Sequence, residues 1–390
     1  MELRVMFGGR EVGRLRYEAR TAYFAYSNGW LEDGFSVSPR SLPLEDRLFK
    51  GSRDRFDGLH GVFADPLPGG WGMLTAIRAL RTKGVDYLSL DPLEKLSYVG
   101  RDGSGALYYE PTECDWGTSP VKDPDEMCME CISMIEGAPA DLDDLFRRAG
   151  STGGARPKMN VMMDGEEWIV KFRERYDPGS IGRMEYEYNE AARRCGIEVP
   201  ECRLLPSGMC DGYFASKRFD REGGRRVHML SLGGLLEIPS DLPLLDYVSF
   251  LQATRYVTGS QNEVLKAFRL ACFNVLAKNF DDHSGNFSYL YDIGEGRYVL
   301  SPAYDLTRTP NMREHHMTCV GNPLPGEKDL YSLASETNIQ KGKAEDIIGQ
   351  VRDVVAECLG EWLRWSRSMM SLEKRLRMPS AGSARERRSV

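Results

Sequence analysis

Asn279-Phe280-Asp281-Asp282-His283-Ser284-Gly285-Asn286, followed by Ser301-Pro302-Ala303-Tyr304-Asp305-Leu306, is the part of the chain whose reading decides the fold. Asp281 and Asn286 stand five positions apart, and a second carboxylate, Asp305, follows in the later run. Kinase-fold enzymes use this order of carboxylate, amide and carboxylate to arrange a catalytic base and two metal-binding oxygens around a nucleoside triphosphate. Asp281 is therefore expected to position a substrate hydroxyl for attack on the γ-phosphoryl, with Asn286 and Asp305 holding Mg2+. Oxygen ligands suit a hard cation, and the cation offsets charge that spreads over the transferring phosphoryl. Taken alone, Asp281-Asp282-His283 also fits a helix end and Asp305 a helix cap. The ordered set of motifs upstream favours the chemical reading.

Upstream, Gly150-Ser151-Thr152-Gly153-Gly154-Ala155-Arg156-Pro157-Lys158 is rich in glycine and small hydroxyl residues. Such a loop lets backbone N–H groups close on phosphate oxygens, since a bulky Cβ would hold them off. Arg156 and Lys158 add positive charge. The spacing is neither that of the P-loop nor that of the usual kinase glycine loop, so an ordinary flexible hairpin competes until the lysine that follows is counted. Lys171 ends the apolar run Trp168-Ile169-Val170-Lys171-Phe172. An ammonium there must reach water or find buried anions, and bound phosphates together with a helix glutamate would supply them. Glu185 is the candidate partner, with Glu187 and Glu190 as alternatives.

Composition sets bounds without selecting a function. The chain has 390 residues, 41% of them hydrophobic, enough for two or three packed domains. It contains no uninterrupted apolar stretch of the roughly 20 residues needed to span a bilayer, and its N-terminus lacks a basic region leading into an apolar one. A cytoplasmic location without membrane association is expected. Nine scattered cysteines fit reduced thiols, and a net charge of −7 argues against general nucleic-acid binding.

The class is expected to be α+β, with a β-rich N-terminal subdomain and a kinase-like bilobal core. Alternating residues 2–7 and 11–17 flank Gly8-Gly9 as a hairpin would. Short aromatic or β-branched segments follow at 23–26 and 35–37, then glycine-rich turns and a helix over 73–83. These make a unit at about 1–112. Helices are expected at 124–136 and 142–149, strands at 159–163 and 167–172, and a helix at 184–195 that stops at Gly196. An N-lobe region would span 123–243 and a helical C-lobe 244–378, with long amphipathic patterns at 262–279 and 343–367. The small, polar, Arg-rich tail 379–390 is expected to be disordered.

Taken together, these motifs resemble the HipA-type serine/threonine kinases, toxins of bacterial toxin–antitoxin modules. The resemblance rests on Ser151 to Lys158, Ile169 to Phe172, Glu185, Ala191 to Pro200, and Lys217-Arg218-Phe219-Asp220-Arg221. It continues through His228 to Ser231, Asn279 to Phe287, Leu300 to Leu306 and His315-His316-Met317. It implies ATP and Mg2+ as cofactors, a protein hydroxyl as substrate, and a HipB-like helix-turn-helix antitoxin as partner, with DNA contacted only through that partner. By position it places Lys171 on the phosphates and Lys217, Arg218 and Phe219 at a hinge facing adenine. Asp281 becomes the base, with Asn286 and Asp305 as metal ligands. It also implies a loop serine whose autophosphorylation ejects the loop and silences the enzyme. Ser151 holds that place, with Thr152 beside it, and a phosphate there would set almost two negative charges against those of ATP.

The chain departs from the family pattern at Gly285, where many relatives carry lysine. This departure weakens γ-phosphate stabilisation or passes that role to Arg156 or His283. Gly61 to Trp71 resembles, in altered form, the family's Leu-Pro-Asp-x-Trp-Gly segment. Two further readings stay open: a catalytically weak corepressor acting with a DNA-binding antitoxin, and a small-molecule kinase. Cys128 and Cys131 have zinc-type spacing but no second pair, and read as helix-buried thiols. His315-His316, without a clustered acidic ligand, reads as a structural turn or a substrate-side contact. Tyr186 and Tyr188 read as packing residues, and the basic C-terminus from Arg364 as a solvated helix end in preference to phosphate contacts.

Overall fold

The computed structural model describes residues 1–101, 103–113, 119–150 and 153–364. Ser151, Thr152 and the tail at 379–390 lie outside the described residues. Strands β1 (Glu2–Phe7), β2 (Arg10–Glu18), β3 (Thr21–Tyr26), β4 (Phe49–Lys50) and β5 (Leu107–Glu110) form an antiparallel sheet in the order β4-β3-β2-β1-β5. Its first hairpin turns at Gly8 and Gly9, with φ of 54° and 85°, a backbone region glycine enters without steric cost. Strand alternation puts Leu3, Val5, Val12, Leu15 and Phe24 on a buried face. Helices α1 (Asn28–Asp33), α2 (Gly61–Ala64), α3 (Gly70–Thr82) and α4 (Pro92–Ser97) connect the strands. Helix α4 opens on a reciprocal capping box between Asp91 and Glu94.

The 35–37 segment is not a strand. Phe35 stacks flat on Tyr291, with centroids 3.8 Å apart, and the neighbouring carbonyls of Ser36 and Val37 bond Tyr298 and His228. An aromatic run that reads as a strand thus serves as a seam, and the first sheet shares its hydrophobic core with the C-terminal lobe.

The second sheet comprises β6 (Ser119–Pro120), β7 (Lys158–Met163), β8 (Glu166–Lys171), β9 (Cys202–Leu205) and β10 (Tyr213–Lys217), in the order β6-β7-β8-β10-β9. Helices α5 (Pro124–Glu136) and α6 (Leu142–Ala149) pack on it through Met127, Leu145, Val161, Trp168 and Val170. Cys128 and Cys131 are buried in the same core as free thiols. Helix α7 (Ile181–Arg194) ends just before Gly196, whose φ is 76°.

After a short hairpin, β11 (Arg221–Glu222) and β12 (Arg225–Arg226), the C-lobe contains a sheet that the sequence reading does not include. Its strands are β13 (Met229–Ser231), β14 (Ser288–Asp292) and β15 (Arg297–Leu300). Around it lie α8 (Leu232–Leu236), α9 (Tyr247–Thr258), α10 (Gln261–Ala277), α11 (Glu327–Glu336) and α12 (Lys341–Arg364). No helix among the described residues is long and apolar enough to cross a membrane.

Candidate active site

A cavity of about 690 Å3 opens between the two lobes and the N-terminal sheet. Lys171, at the end of β8, projects into it because its strand neighbours Trp168 and Val170 fill the sheet's core. The Lys171 Nζ donates to Glu185 Oε1 from α7 and to Asp305 Oδ1 from the C-lobe. The other glutamates of α7 are committed elsewhere: Glu187 accepts from Trp362 Nε1 at 2.5 Å, and Glu190 pairs with Arg193. Burial works against the Lys171 charge, but Asp305 and Glu185 outweigh it and raise the ammonium above the ordinary lysine range. Burial likewise pushes the Asp305 carboxyl up, yet Lys171 and Lys158 hold it well below the usual carboxylate range. Asp305 sits at φ 53°, a left-handed backbone that a non-glycine residue keeps only when its surroundings impose it.

The run 279–286 is knitted to these groups. Asn286 Nδ2 donates to the Asp281 carbonyl at 2.7 Å, leaving the amide oxygen free of that bond, and Asn279 Nδ2 reaches the Asp305 carbonyl at 3.4 Å. Asp281 is half-buried on the cavity wall, and its carboxylate makes no hydrogen bond or ion pair among the described residues. Its neighbour Asp282 is fully buried. One Asp282 oxygen accepts from Tyr247 Oη at 2.6 Å and His315 Nδ1 at 2.7 Å, the other from the backbone N–H of His316 and Met317 at 2.8 and 3.2 Å. His315 is thus a structural contact, and its acidic partner Asp282 comes from the run 279–286, a pairing that spacing along the chain does not reveal. His283 caps the short turn Ser284–Asn286 through Nδ1.

Gly153, Gly154, Ala155 and Lys158 of the glycine-rich loop all line the cavity. Gly154 has φ 76°, and its carbonyl accepts from Trp71 N–H at 2.9 Å, so the loop is braced by α3 of the N-terminal subdomain. A Cβ at Gly70 would lie 2.2 Å from that same carbonyl oxygen, which explains a glycine there. Lys158 Nζ donates to the Gly153 carbonyl at 2.6 Å, and burial lowers its pKa. Arg156 does not reach the cavity; it pairs with Asp177 at 3.4 Å.

In the segment expected to form the hinge, Lys217, Arg218 and Phe219 line the cavity, but their side chains do different things. Lys217 pairs with Glu166 at 3.0 Å, and Phe219 packs on Tyr304 at 5.4 Å. The buried Arg218 guanidinium donates to Asp220 at 2.8 and 3.0 Å and to the Gly103 carbonyl, so this residue offers the cavity its backbone and not its charge. Asp220 also takes Arg221 and the Gly105 N–H, tying the hinge to the N-terminal subdomain. Opposite lies Asp65, absent from the sequence reading. It accepts from Ser231 N–H at 2.7 Å and Ser231 Oγ at 2.6 Å, and burial raises its pKa to about 6.

The donor set fits a magnesium nucleotide. The Asn286 amide oxygen and an Asp305 carboxylate oxygen not bonded by Lys171 are hard ligands at one wall, and the cavity volume falls in the range of small-molecule sites.

Known proteins agree with this architecture. Residues 3–110 match the HipA N-terminal domain and residues 150–359 the HipA-like C-terminal domain. The chain is 26% identical over 339 residues to the Sinorhizobium fredii (strain NBRC 101917 / NGR234) protein named "Putative kinase Y4mE", covering 79% of this chain and 77% of that one. Its fold matches a chain of the Shewanella oneidensis MR-1 toxin–antitoxin complex of HipA, HipB and operator DNA. There the TM-score is 0.70 at 18% identity, over 96% of this chain and 95% of that one. With both halves matched in order, the chain belongs to the HipA family.

Proposed function

We propose that the protein is an ATP-dependent protein serine/threonine kinase acting as the toxin of a toxin–antitoxin pair. The observation that carries this reading is the meeting of Lys171 with Glu185 and Asp305 at one wall of a cavity that also contains Asp281 and Asn286. In the proposed chemistry, Lys171 and Lys158 bind phosphate oxygens beside the glycine loop, and the 217–219 segment faces adenine. Asn286 and Asp305 hold Mg2+, which would neutralise charge on the phosphates. Asp281 orients the substrate hydroxyl and takes its proton as the oxygen attacks the γ-phosphorus, the bond to the β,γ-bridging oxygen breaks and ADP leaves. Asp281 suits this role because, among the described residues, no other group holds its carboxylate, whereas Asp282 is fully engaged.

A HipB-like DNA-binding antitoxin is the partner this reading requires, a proposal supported by the HipB and operator DNA named for the Shewanella relative. Autophosphorylation at Ser151 remains part of the proposal, on the footing of family resemblance. The test is transfer from labelled ATP with Mg2+, followed by mapping of the phosphorylated hydroxyl. Transfer to protein serine or threonine that vanishes in Asp281→Ala supports the reading. Transfer only to metabolites, or activity retained in Asp281→Ala, overturns it.

A further inference from the structure

We propose that Trp362, near the end of α12, is a positioning residue for this site: through Glu187 it fixes α7, and so sets the Glu185 carboxylate against Lys171. The consequence for catalysis rests on the kinase reading above.

The argument starts from the two faces of α7. Glu185 and Glu187 stand two positions apart, about 200° around a helix of 3.6 residues per turn. Glu185 meets Lys171 at the cavity wall, whereas Glu187 meets α12, where it accepts from Trp362 Nε1 at 2.5 Å. A rotation or shift of α7 that withdraws one carboxylate must therefore disturb the other.

Trp362 is built into this contact. It is 1% exposed, within the hydrophobic core that α7 and α12 share. On its ring lies Arg183, one turn before Glu187, with the guanidinium carbon 5.0 Å from the ring centroid. Arg183 in turn pairs with Glu187 at 3.6 Å and with Asp211 at 3.3 Å. The indole thus holds α7 at 183 and at 187, the two positions that bracket Glu185. The two helices run antiparallel, with Arg194 and Glu357 paired at the far end and Trp362 at the end that carries Glu185.

The next residue of α12 holds the other anion. The Leu363 carbonyl accepts from Arg308 Nη1 at 2.9 Å, and Arg308 follows Asp305 by three residues. The Arg308 guanidinium also acts electrostatically on Tyr188 of α7, whose hydroxyl donates to the Ala277 carbonyl at 2.9 Å. Both carboxylates that bond Lys171 therefore belong to segments tied to residues 362 and 363, although no described residue of α12 lines the cavity. Small displacements at such a remote tie cost rate because the reacting groups tolerate little misplacement.

The experiment measures how fast N-hydroxysuccinimide acetate acetylates Lys171 in the full-length protein at pH 8, read by mass spectrometry against the exposed Lys341 as internal standard. Only the neutral amine reacts, and Glu185 helps to keep Lys171 charged. Glu185→Gln is expected to raise the rate about tenfold, since Lys171 loses one of its two anions. Trp362→Phe keeps an aromatic ring and loses the N–H, while Glu187→Leu removes the acceptor; each is expected to raise the rate about threefold. Neither adds to Glu185→Gln in a double variant. Transfer from labelled ATP at saturating Mg2+-ATP is expected to fall about tenfold in Trp362→Phe, and no further when Trp362→Phe is added to Glu185→Gln. Wild-type Lys171 reactivity in both Trp362→Phe and Glu187→Leu, whatever their melting temperatures, makes the contact merely structural and overturns the proposal. Full additivity with Glu185→Gln overturns it as well. If the wild type transfers no phosphoryl group while the Lys171 rates follow the expected pattern, the kinase reading falls and the tie between Trp362 and Glu185 stands.

Discussion

Replacing Asp282 by asparagine tests the division of labour between two adjacent aspartates. The Asp282 carboxylate is buried and accepts four hydrogen bonds, from Tyr247 Oη, His315 Nδ1 and the amides of residues 316 and 317. An asparagine keeps one acceptor oxygen, turns the other into a donor facing two donors, and removes the charge that strengthens all four bonds. Hydrogen bonds to charged groups contribute about 1.5–3 kcal/mol each, and Tyr247 and His315 recover part of the loss by rotating the hydroxyl or shifting tautomer. A net destabilisation of about 3 kcal/mol follows, with Tyr247→Phe costing about 1 kcal/mol. Asp281→Asn, by contrast, breaks no described side-chain bond and is expected to change stability by less than about 0.5 kcal/mol, while abolishing phosphoryl transfer. Urea unfolding of the three variants, run beside the labelled-ATP assay, reads both quantities. Asp282→Asn with wild-type stability, or Asp281→Asn with a loss above about 1 kcal/mol, would refute the assignment of one residue to architecture and the other to chemistry.

Asp65 has a folded pKa raised to about 6, so its contribution to stability is present below the ordinary carboxylate pKa and lost as pH rises through about 6. Asp65→Asn, which can still bond Ser231, is expected to match wild type near pH 4 and to exceed it by about 3 kcal/mol at pH 8; a pH-independent difference counts against the burial argument. Asp305 shows the opposite sign: its pKa is depressed by Lys171 and Lys158, so its stabilisation is present above about pH 4 and fades as pH falls through the lowered value. Lys171→Met should therefore cost about 1–2 kcal/mol at pH 7, discounted for the 36% exposure of the Asp305 side chain, and less at pH 3. Melting curves across that range check it, and a constant offset sinks it. Gly70→Ala sets a Cβ 2.2 Å from the Gly154 carbonyl oxygen at a residue with φ 42°, and is expected to weaken Mg2+-ATP binding several-fold. Unchanged affinity would mean the glycine loop does not depend on its brace.

The parts of this site that can be read from sequence are those where chemistry and spacing lie within one segment. Asp281, Asn286 and Asp305 stand out because the proposed base and two oxygen ligands need short, ordered separations, and Lys171 because an ammonium at the end of an apolar strand demands anions. The choice among Glu185, Glu187 and Glu190 is different. All three fit the same helix, and only the packing of Trp362 and Arg193 removes two of them. Asp65 with Ser231, Asp220 with Gly105, and Asp282 with His315 join residues 166, 115 and 33 positions apart, and no local periodicity encodes such pairs. The sheet β13–β15 was hidden for a related reason, since its first strand has three residues and its partners come from beyond α10.

These long-range pairs also say something about how the cleft works. In a two-lobed enzyme, lobes joined only by a hinge move independently of anything outside them. Here the N-terminal subdomain holds the glycine loop through Trp71 and Gly154, the hinge through Gly105 and Asp220, and the C-lobe through Asp65 and Ser231. Because the subdomain shares its core with the C-lobe, rotating the second sheet away must break the loop brace and the hinge ties or carry the subdomain along. The brace on the glycine loop is a single hydrogen bond, worth about 1 kcal/mol, whereas the tie to the C-lobe adds a shared hydrophobic core and the Phe35–Tyr291 stack. The subdomain is thus placed to bias the open and closed states, which requires only that its contacts differ between them.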